Sequence, residues 1–172
     1  MIVYVFILAV CLFPLPLLSQ SSIPDSVSVI ITFTPECPIC RAYLPRIGML
    51  IKEWETFPVR LTLLVPDALP DVSAVREVVG AAGLQNVSLM FDSLQEYTRQ
   101  YGLTVTPEAA VVTESGVLVY RGRIDNLYER LGVRRRVVSS FDLLDAVRRL
   151  LERGHGPLQT TAAVGCVIER RW

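Results

Sequence analysis

Histidine and lysine are almost absent from this chain of 172 residues: His155 and Lys52 are the only ones. With a single histidine and no second C-x-x-C pair, the sequence lacks the paired ligand spacing of a four-ligand zinc site, and no metal is expected. The scarcity of lysine reads as a composition bias, with arginine carrying nearly all the positive charge. Excess charge is missing too. A formal net charge of +0 beside 51% hydrophobic residues excludes intrinsic disorder and gives no footprint for nucleic-acid binding. Internal repeats and low-complexity stretches are also lacking, which leaves one compact domain as the expectation at this length.

Charge is wholly absent from Met1 to Leu18, an apolar run broken only by Pro14 and Pro16 and followed by Ser19-Gln20-Ser21-Ser22. Residues 1–22 therefore read as a signal peptide, or as an N-terminal membrane anchor giving membrane association through residues 1–18. The paired prolines favour the cleaved form, since they would break a spanning helix. The expected address is extracytoplasmic, in the periplasm or cell envelope. Of the 4 cysteines, Cys11 lies in this leader, leaving Cys37, Cys40 and Cys166. In an oxidising compartment that odd number means one pair and one thiol that is free or engaged with a partner.

The chemistry concentrates in Phe33-Thr34-Pro35-Glu36-Cys37-Pro38-Ile39-Cys40. A strand-like run ends there in two cysteines spaced C-x-x-C, and an amphipathic stretch follows at once. A thiolate at Cys37 would sit over the free N–H groups of a starting helix, where the dipole favours negative charge. Pro38 suits the first helical position, where a missing N–H costs nothing. Cys40, one turn inside, can close a short, reducible disulfide. Behind a strand, in a chain that alternates strands and helices, this spacing reads as a thioredoxin-like redox motif. Glu36 opposes the thiolate beside it, and Arg41 could offset that. The redox poise is thereby left open over a span of about 150 mV.

The remaining elements follow in order. Alternation of Val27, Val29, Ile31 and Phe33 predicts a central strand from Ser26 to Thr34. Tyr43, Leu44, Ile47, Leu50, Ile51 and Trp54 predict a helix running to about Thr56 and kinked at Pro45. A strand over 59–65, a helix over 72–82, a strand over 87–91 and a helix over 93–101 come next. Val105-Thr106-Pro107-Glu108 opens a strand continuing to Thr113, and 117–121 returns as its hairpin partner. A last helix is expected over 139–153, capped by Ser139 with Asp142. Asp125 to Val138 and the tail from His155 carry no clear pattern, and Arg134-Arg135-Arg136 reads as a solvated loop.

The Cys37-Pro38-Ile39-Cys40 motif, Thr106-Pro107-Glu108-Ala109 some 70 residues on, Tyr120 to Asp125 and Ala163-Val164-Gly165-Cys166-Val167-Ile168 together carry a resemblance. Over Val27 to Arg153 the chain resembles the thioredoxin-like superfamily. Within it, the chain is similar to bacterial extracytoplasmic redoxins of the alkyl-hydroperoxide-reductase/thiol-specific-antioxidant and thiol-disulfide oxidoreductase types. The resemblance implies an α/β thioredoxin-like fold, a central mixed sheet flanked by helices with a helix–strand insert, over residues 23–154, and a C-terminal tail with Cys166 over 155–172. It implies catalysis by Cys37 and Cys40, with Thr106, Pro107 and Pro38 as substrate-binding residues. Pro107 would be cis and face the thiols, and Thr106 would lend backbone groups to an incoming substrate strand. The implied partners are protein thiol or disulfide substrates and an electron-donating or electron-accepting redox protein, with no cofactor.

Cys166 divides between an auxiliary thiol that exchanges with the active site and a plain free cysteine in a tail, and the second is the expectation. Alternatives to the oxidoreductase are a thiol peroxidase, a copper- or metal-handling redoxin and a non-catalytic module docking a membrane complex. Thr34-Pro35-Glu36-Cys37 matches half of the peroxiredoxin pattern, but Ile30 stands where its proline belongs. Two thiolates would suit Cu(I), yet no well-placed histidine accompanies them.

Overall fold

The computed structural model describes residues 26–170, so the expected leader and Cys11 lie outside the described residues. Among the described residues no helix is long and apolar enough to cross a membrane. The elements run β1 (Val27–Thr32), α1 (Pro38–Glu53), β2 (Val59–Val65), α2 (Val72–Ala81), β3 (Ser88–Phe91), α3 (Glu96–Gln100), β4 (Val105–Thr106), β5 (Ala109–Thr113), β6 (Leu118–Gly122), β7 (Tyr128–Arg130), β8 (Val133–Arg134), α4 (Asp142–Arg153), β9 (Gln159–Thr160) and β10 (Cys166–Val167).

Six strands form one mixed sheet in the order β3-β2-β1-β5-β6-β9. β1 is central: it pairs parallel with β2 and antiparallel with β5, Ile30 lying opposite both Thr62 and Ala110. Near-continuous apolar runs in β1, β2 and β5 follow from burial on both faces. Val29, Ile31, Leu63 and Val111 join α1 and α4 through Tyr43, Ile47, Leu143 and Val147 in the main core. On the other face Ile30, Leu64, Ala110 and Val112 pack with Tyr101, Leu103 and Ile168, so the tail helps close the second core. The helix–strand insert is α2 and β3, with β3 added parallel to β2 at the sheet edge.

Local chemistry sets the helix starts. Asp71 accepts from the N–H groups of Ser73 and Ala74, both at 3.0 Å, and caps α2. α3 is shorter than the expected helix over 93–101, because Gln95 takes a left-handed conformation with φ 54° and Asp92 accepts from Thr98 N–H at 2.8 Å. α1 runs on through Pro45, whose missing N–H leaves the Arg41 carbonyl without its usual intrahelical donor. α4 begins at Asp142 and not Ser139. Ser139 and Ser140 instead donate their N–H groups to the Asn126 side chain at 3.0 and 3.2 Å, which closes the loop 126–140.

Two unpatterned stretches turn out to be organised. Residues 128–134 make the β7–β8 hairpin, with Arg134, Arg135 and Arg136 exposed. The tail crosses the end of the sheet, where β9 pairs parallel with β6, and then returns so that β10 lies antiparallel to β4. At the crossing Gly122, with φ +148°, would bring an added Cβ within 2.2 Å of the Thr161 hydroxyl oxygen, so glycine is required there.

Candidate active site around Cys37

The strand-to-helix junction makes the site. Thr34-Pro35-Glu36 turns the chain after β1, and Cys37 N–H donates to the Thr34 carbonyl at 3.3 Å. Cys37 is the N-cap residue of α1, Pro38 takes the first helical position, and no acidic side chain lies in the first turn. No side chain caps this end. The positive end of the helix dipole is therefore not offset and favours negative charge on the Cys37 sulfur. Arg41 turns back and donates from Nε to the Pro35 carbonyl at 2.5 Å, while exposed Glu36 accepts from the Thr34 hydroxyl. The arginine thus fastens the turn ahead of α1.

Thr106–Pro107 is a cis peptide, and the Thr106 carbonyl oxygen lies 3.2 Å from the Cys37 sulfur. Two buried polar residues hold this loop against β1. The Thr32 hydroxyl donates to the Val105 carbonyl and accepts from the Glu108 N–H, both at 2.7 Å. The Glu108 carboxylate accepts from Thr104 N–H at 2.7 Å. Neither Thr32 nor Glu108 was marked by the sequence as part of the site. Their signal is a hydroxyl and a carboxylate placed in apolar strand patterns, since a buried polar group must find a partner.

The disulfide of this structure joins Cys37 to Cys166, across a sequence separation of 129, and Cys40 is free. The tail cysteine is thus neither unpaired nor remote from the motif, contrary to the free thiol expected for it. β10 places it there: Cys166 stands opposite Thr106 and Val167 opposite Val105. Past the pair, Ile168 N–H donates to the Thr104 carbonyl at 3.0 Å, and Gln95 Nε2 donates to the Glu169 carbonyl at 2.6 Å. Before it, Gly165 lies so close that an added Cβ would sit 2.3 Å from the Thr106 carbonyl oxygen. Gly165→Ala should therefore push β10 off β4 at a cost of about 1–3 kcal/mol. The expected readout is a smaller share of Cys37–Cys166 linkage on non-reducing peptide mapping of the oxidised protein.

Cys40 sits one turn into α1 and is 1% exposed. Burial pushes its thiol up to about 12, against the smaller opposing effects of hydrogen bonds from the Thr34 backbone and the Thr106 side chain. With the Cys37–Cys166 bond intact, iodoacetamide at about pH 8 should modify Cys40 about a thousandfold more slowly than an ordinary exposed thiol, since each pKa unit is a tenfold change in thiolate. The rate should climb about tenfold per pH unit up to about pH 10, because it follows the thiolate fraction. A flat, fast rate in a mass-spectrometric time course would contradict this environment.

The site extends to the loop after β6. The Asp125 carboxylate, 3% exposed, accepts from the Tyr43 hydroxyl and from Leu127 N–H, both at 2.8 Å, and pairs with Arg46. Burial and the facing carboxylate push the Tyr43 phenol up, which keeps it a donor. Tyr43 and Arg46 belong to α1, so the helix that carries Cys37 is tied to this loop.

Cys37, Cys40, Thr106, Pro107 and Cys166 therefore converge, with Pro38 exposed at the rim of the helix start. Beside them runs a groove of about 520 Å³ lined by Thr34, Glu36, Leu69, Thr106, Cys166 and Val167, among others.

No curated protein sequence matches the chain. Among solved structures, an uncharacterized conserved protein from Geobacillus kaustophilus superposes with a TM-score of 0.68 at 18% identity, covering 87% of this chain and 79% of its own. A secreted Mycobacterium tuberculosis disulfide oxidoreductase homologous to E. coli DsbE gives 0.52 at 20% identity, over 76% and 86%. StoA from Bacillus subtilis gives 0.51 at 16% identity, over 77% and 84%. At these identities the likeness concerns the fold. The Redoxin family model matches residues 15–132, more than half of the sequence. On that match, and with this sheet and strand order, the chain belongs to the Redoxin family and has the thioredoxin-like fold.

Proposed function

We propose that this chain is an exported thiol-disulfide oxidoreductase that acts on protein dithiols and disulfides through Cys37-Pro38-Ile39-Cys40. The observation that carries the reading is the Cys37 sulfur at the uncapped N-terminus of α1, 3.2 Å from the Thr106 carbonyl and already bonded to a cysteine on a strand paired with Thr106. That is the geometry of a mixed disulfide: a thiol on an extended segment, held by backbone pairing, joined to the helix-start sulfur. Cys37 exchanges with protein thiols, and Cys40 stands one turn behind as the second thiol of the motif. The partners are proteins with a thiol pair or a disulfide, on one side a substrate and on the other a donor or acceptor of electrons. Export rests on the uncharged apolar run from Met1 to Leu18, which also allows association with a membrane.

Reduction of insulin disulfides by dithiothreitol tests the activity, and the protein should accelerate it. The Cys37–Cys166 bond also suits a second reading, a peroxidase, because condensation of a Cys37 sulfenic acid with a distant thiol would leave that bond. The Thr34 hydroxyl points to Glu36, however, and so is engaged away from the sulfur. Hydrogen peroxide consumption without insulin reduction would move the assignment to the peroxidase.

A further inference from the structure

The Cys37–Cys166 bond presents two sulfurs to the outside unequally. Cys37 is 2% exposed, buried under β10 and the Thr106–Pro107 loop. Cys166 is half-buried, and its neighbour Val167 is 78% exposed. The groove of about 520 Å³ runs along Cys166 and is lined also by Leu69, 85% exposed. Cys37 is not among the groove's lining residues, and Cys40, enclosed at 1% exposure, offers no way in. The tail is also held on both sides of Cys166. Thr161 receives the Arg123 N–H at 3.1 Å upstream, and Ile168 is buried in the second core downstream. A partner strand cannot pair with Thr106 while β10 does.

On the reading of the chain as a thiol-disulfide oxidoreductase, we infer that Cys166 is its partner-facing thiol: the tail is an internal substrate strand, seated on Thr106, that relays electrons between proteins docked in the groove and buried Cys37. A partner thiolate attacks the Cys166 sulfur. The Cys37–Cys166 bond breaks, and its electron pair leaves on Cys37, where the α1 N-terminus stabilises the charge. The partner's second thiolate then attacks its own sulfur in the mixed disulfide and releases Cys166. The partner dithiol loses two electrons and two protons and becomes a disulfide. Cys37 and Cys166 gain them and become thiols. Run in reverse, the same steps reduce a partner disulfide and restore the Cys37–Cys166 bond.

The test is the position of first attack. Oxidised Cys40→Ser protein is exposed briefly to reduced glutathione, quenched in acid, alkylated and mapped by mass spectrometry. Cys40→Ala and the unmodified chain are run beside it, should serine in that buried position disturb folding. Glutathione should be found on Cys166 about tenfold or more over Cys37, with Cys37 alkylated, because exchange occurs at the accessible sulfur and releases the better-stabilised thiolate. Glutathione mainly on Cys37, or an oxidised chain without the Cys37–Cys166 bond, overturns the relay and leaves the oxidoreductase standing. The oxidoreductase itself falls on a different result, insulin reduction that survives Cys37→Ser.

Discussion

Cys37→Ser should bring insulin reduction down to the rate of dithiothreitol alone, a loss of about 10³-fold or more, as for removal of a covalent nucleophile. A serine oxygen cannot form or exchange a disulfide, so the covalent route vanishes and is not merely slowed. The substitution suits the fold of the reduced protein. A serine hydroxyl at this nearly enclosed position can donate to the Thr106 carbonyl, 3.2 Å from the present sulfur. In the oxidised form the same change also removes a bond closing a loop with a separation of 129 residues, which should cost about 2–4 kcal/mol. The comparison is therefore made with reduced wild type, with circular dichroism recording that both are folded. Full activity in Cys37→Ser would remove Cys37 from the reaction.

In the reduced protein the largest loss of stability is expected at Asp125→Ala. The carboxylate takes the Tyr43 hydroxyl and the Leu127 N–H at 2.8 Å and pairs with Arg46, and deleting it strands donors in a buried place. Breaking a buried ion pair from one side costs about 3–5 kcal/mol. The Arg46 side chain is 21% exposed and can turn to water, so the expected value is at the lower end, about 3 kcal/mol. For a chain of this size that lowers Tm by roughly 6–12 °C. Asp125→Asn keeps an acceptor for Tyr43 and Leu127 and should lose about half as much. A thermal midpoint unchanged in Asp125→Ala would mean that α1 is held without this carboxylate.

Asp125 also shows where reading the sequence stops. It lies at the head of a stretch without hydrophobic period, 125–138, yet Asp125, Asn126 and Leu127 are all buried. Their burial is arranged by polar bonds to α1 and to Ser139 and Ser140, and such bonds leave no periodic trace. The Ser139 cap is absent for the same reason: the residue type is right for a helix start, but the Asn126 side chain engages both its hydroxyl oxygen and its N–H. By contrast, the alternation of β1 and the helix start at the C-x-x-C are relations within a few residues, and they are legible directly.

The C-x-x-C showed where a nucleophile would sit, because helix-start chemistry depends only on neighbours. It did not show which cysteine Cys37 would meet. That choice belongs to β10, a strand of two residues whose register is set by Thr106, by the absence of a side chain at Gly165 and by Ile168 in the second core. Two residues are too few for any alternation to betray a strand. The sequence by itself determined the fold class, the strand–helix order and the thiol at the head of α1, all consequences of local pattern. Only the tertiary structure decided that the tail returns to the Thr106–Pro107 loop and bonds Cys166 to Cys37, since backbone pairing across such a separation depends on which sheet edge is left open.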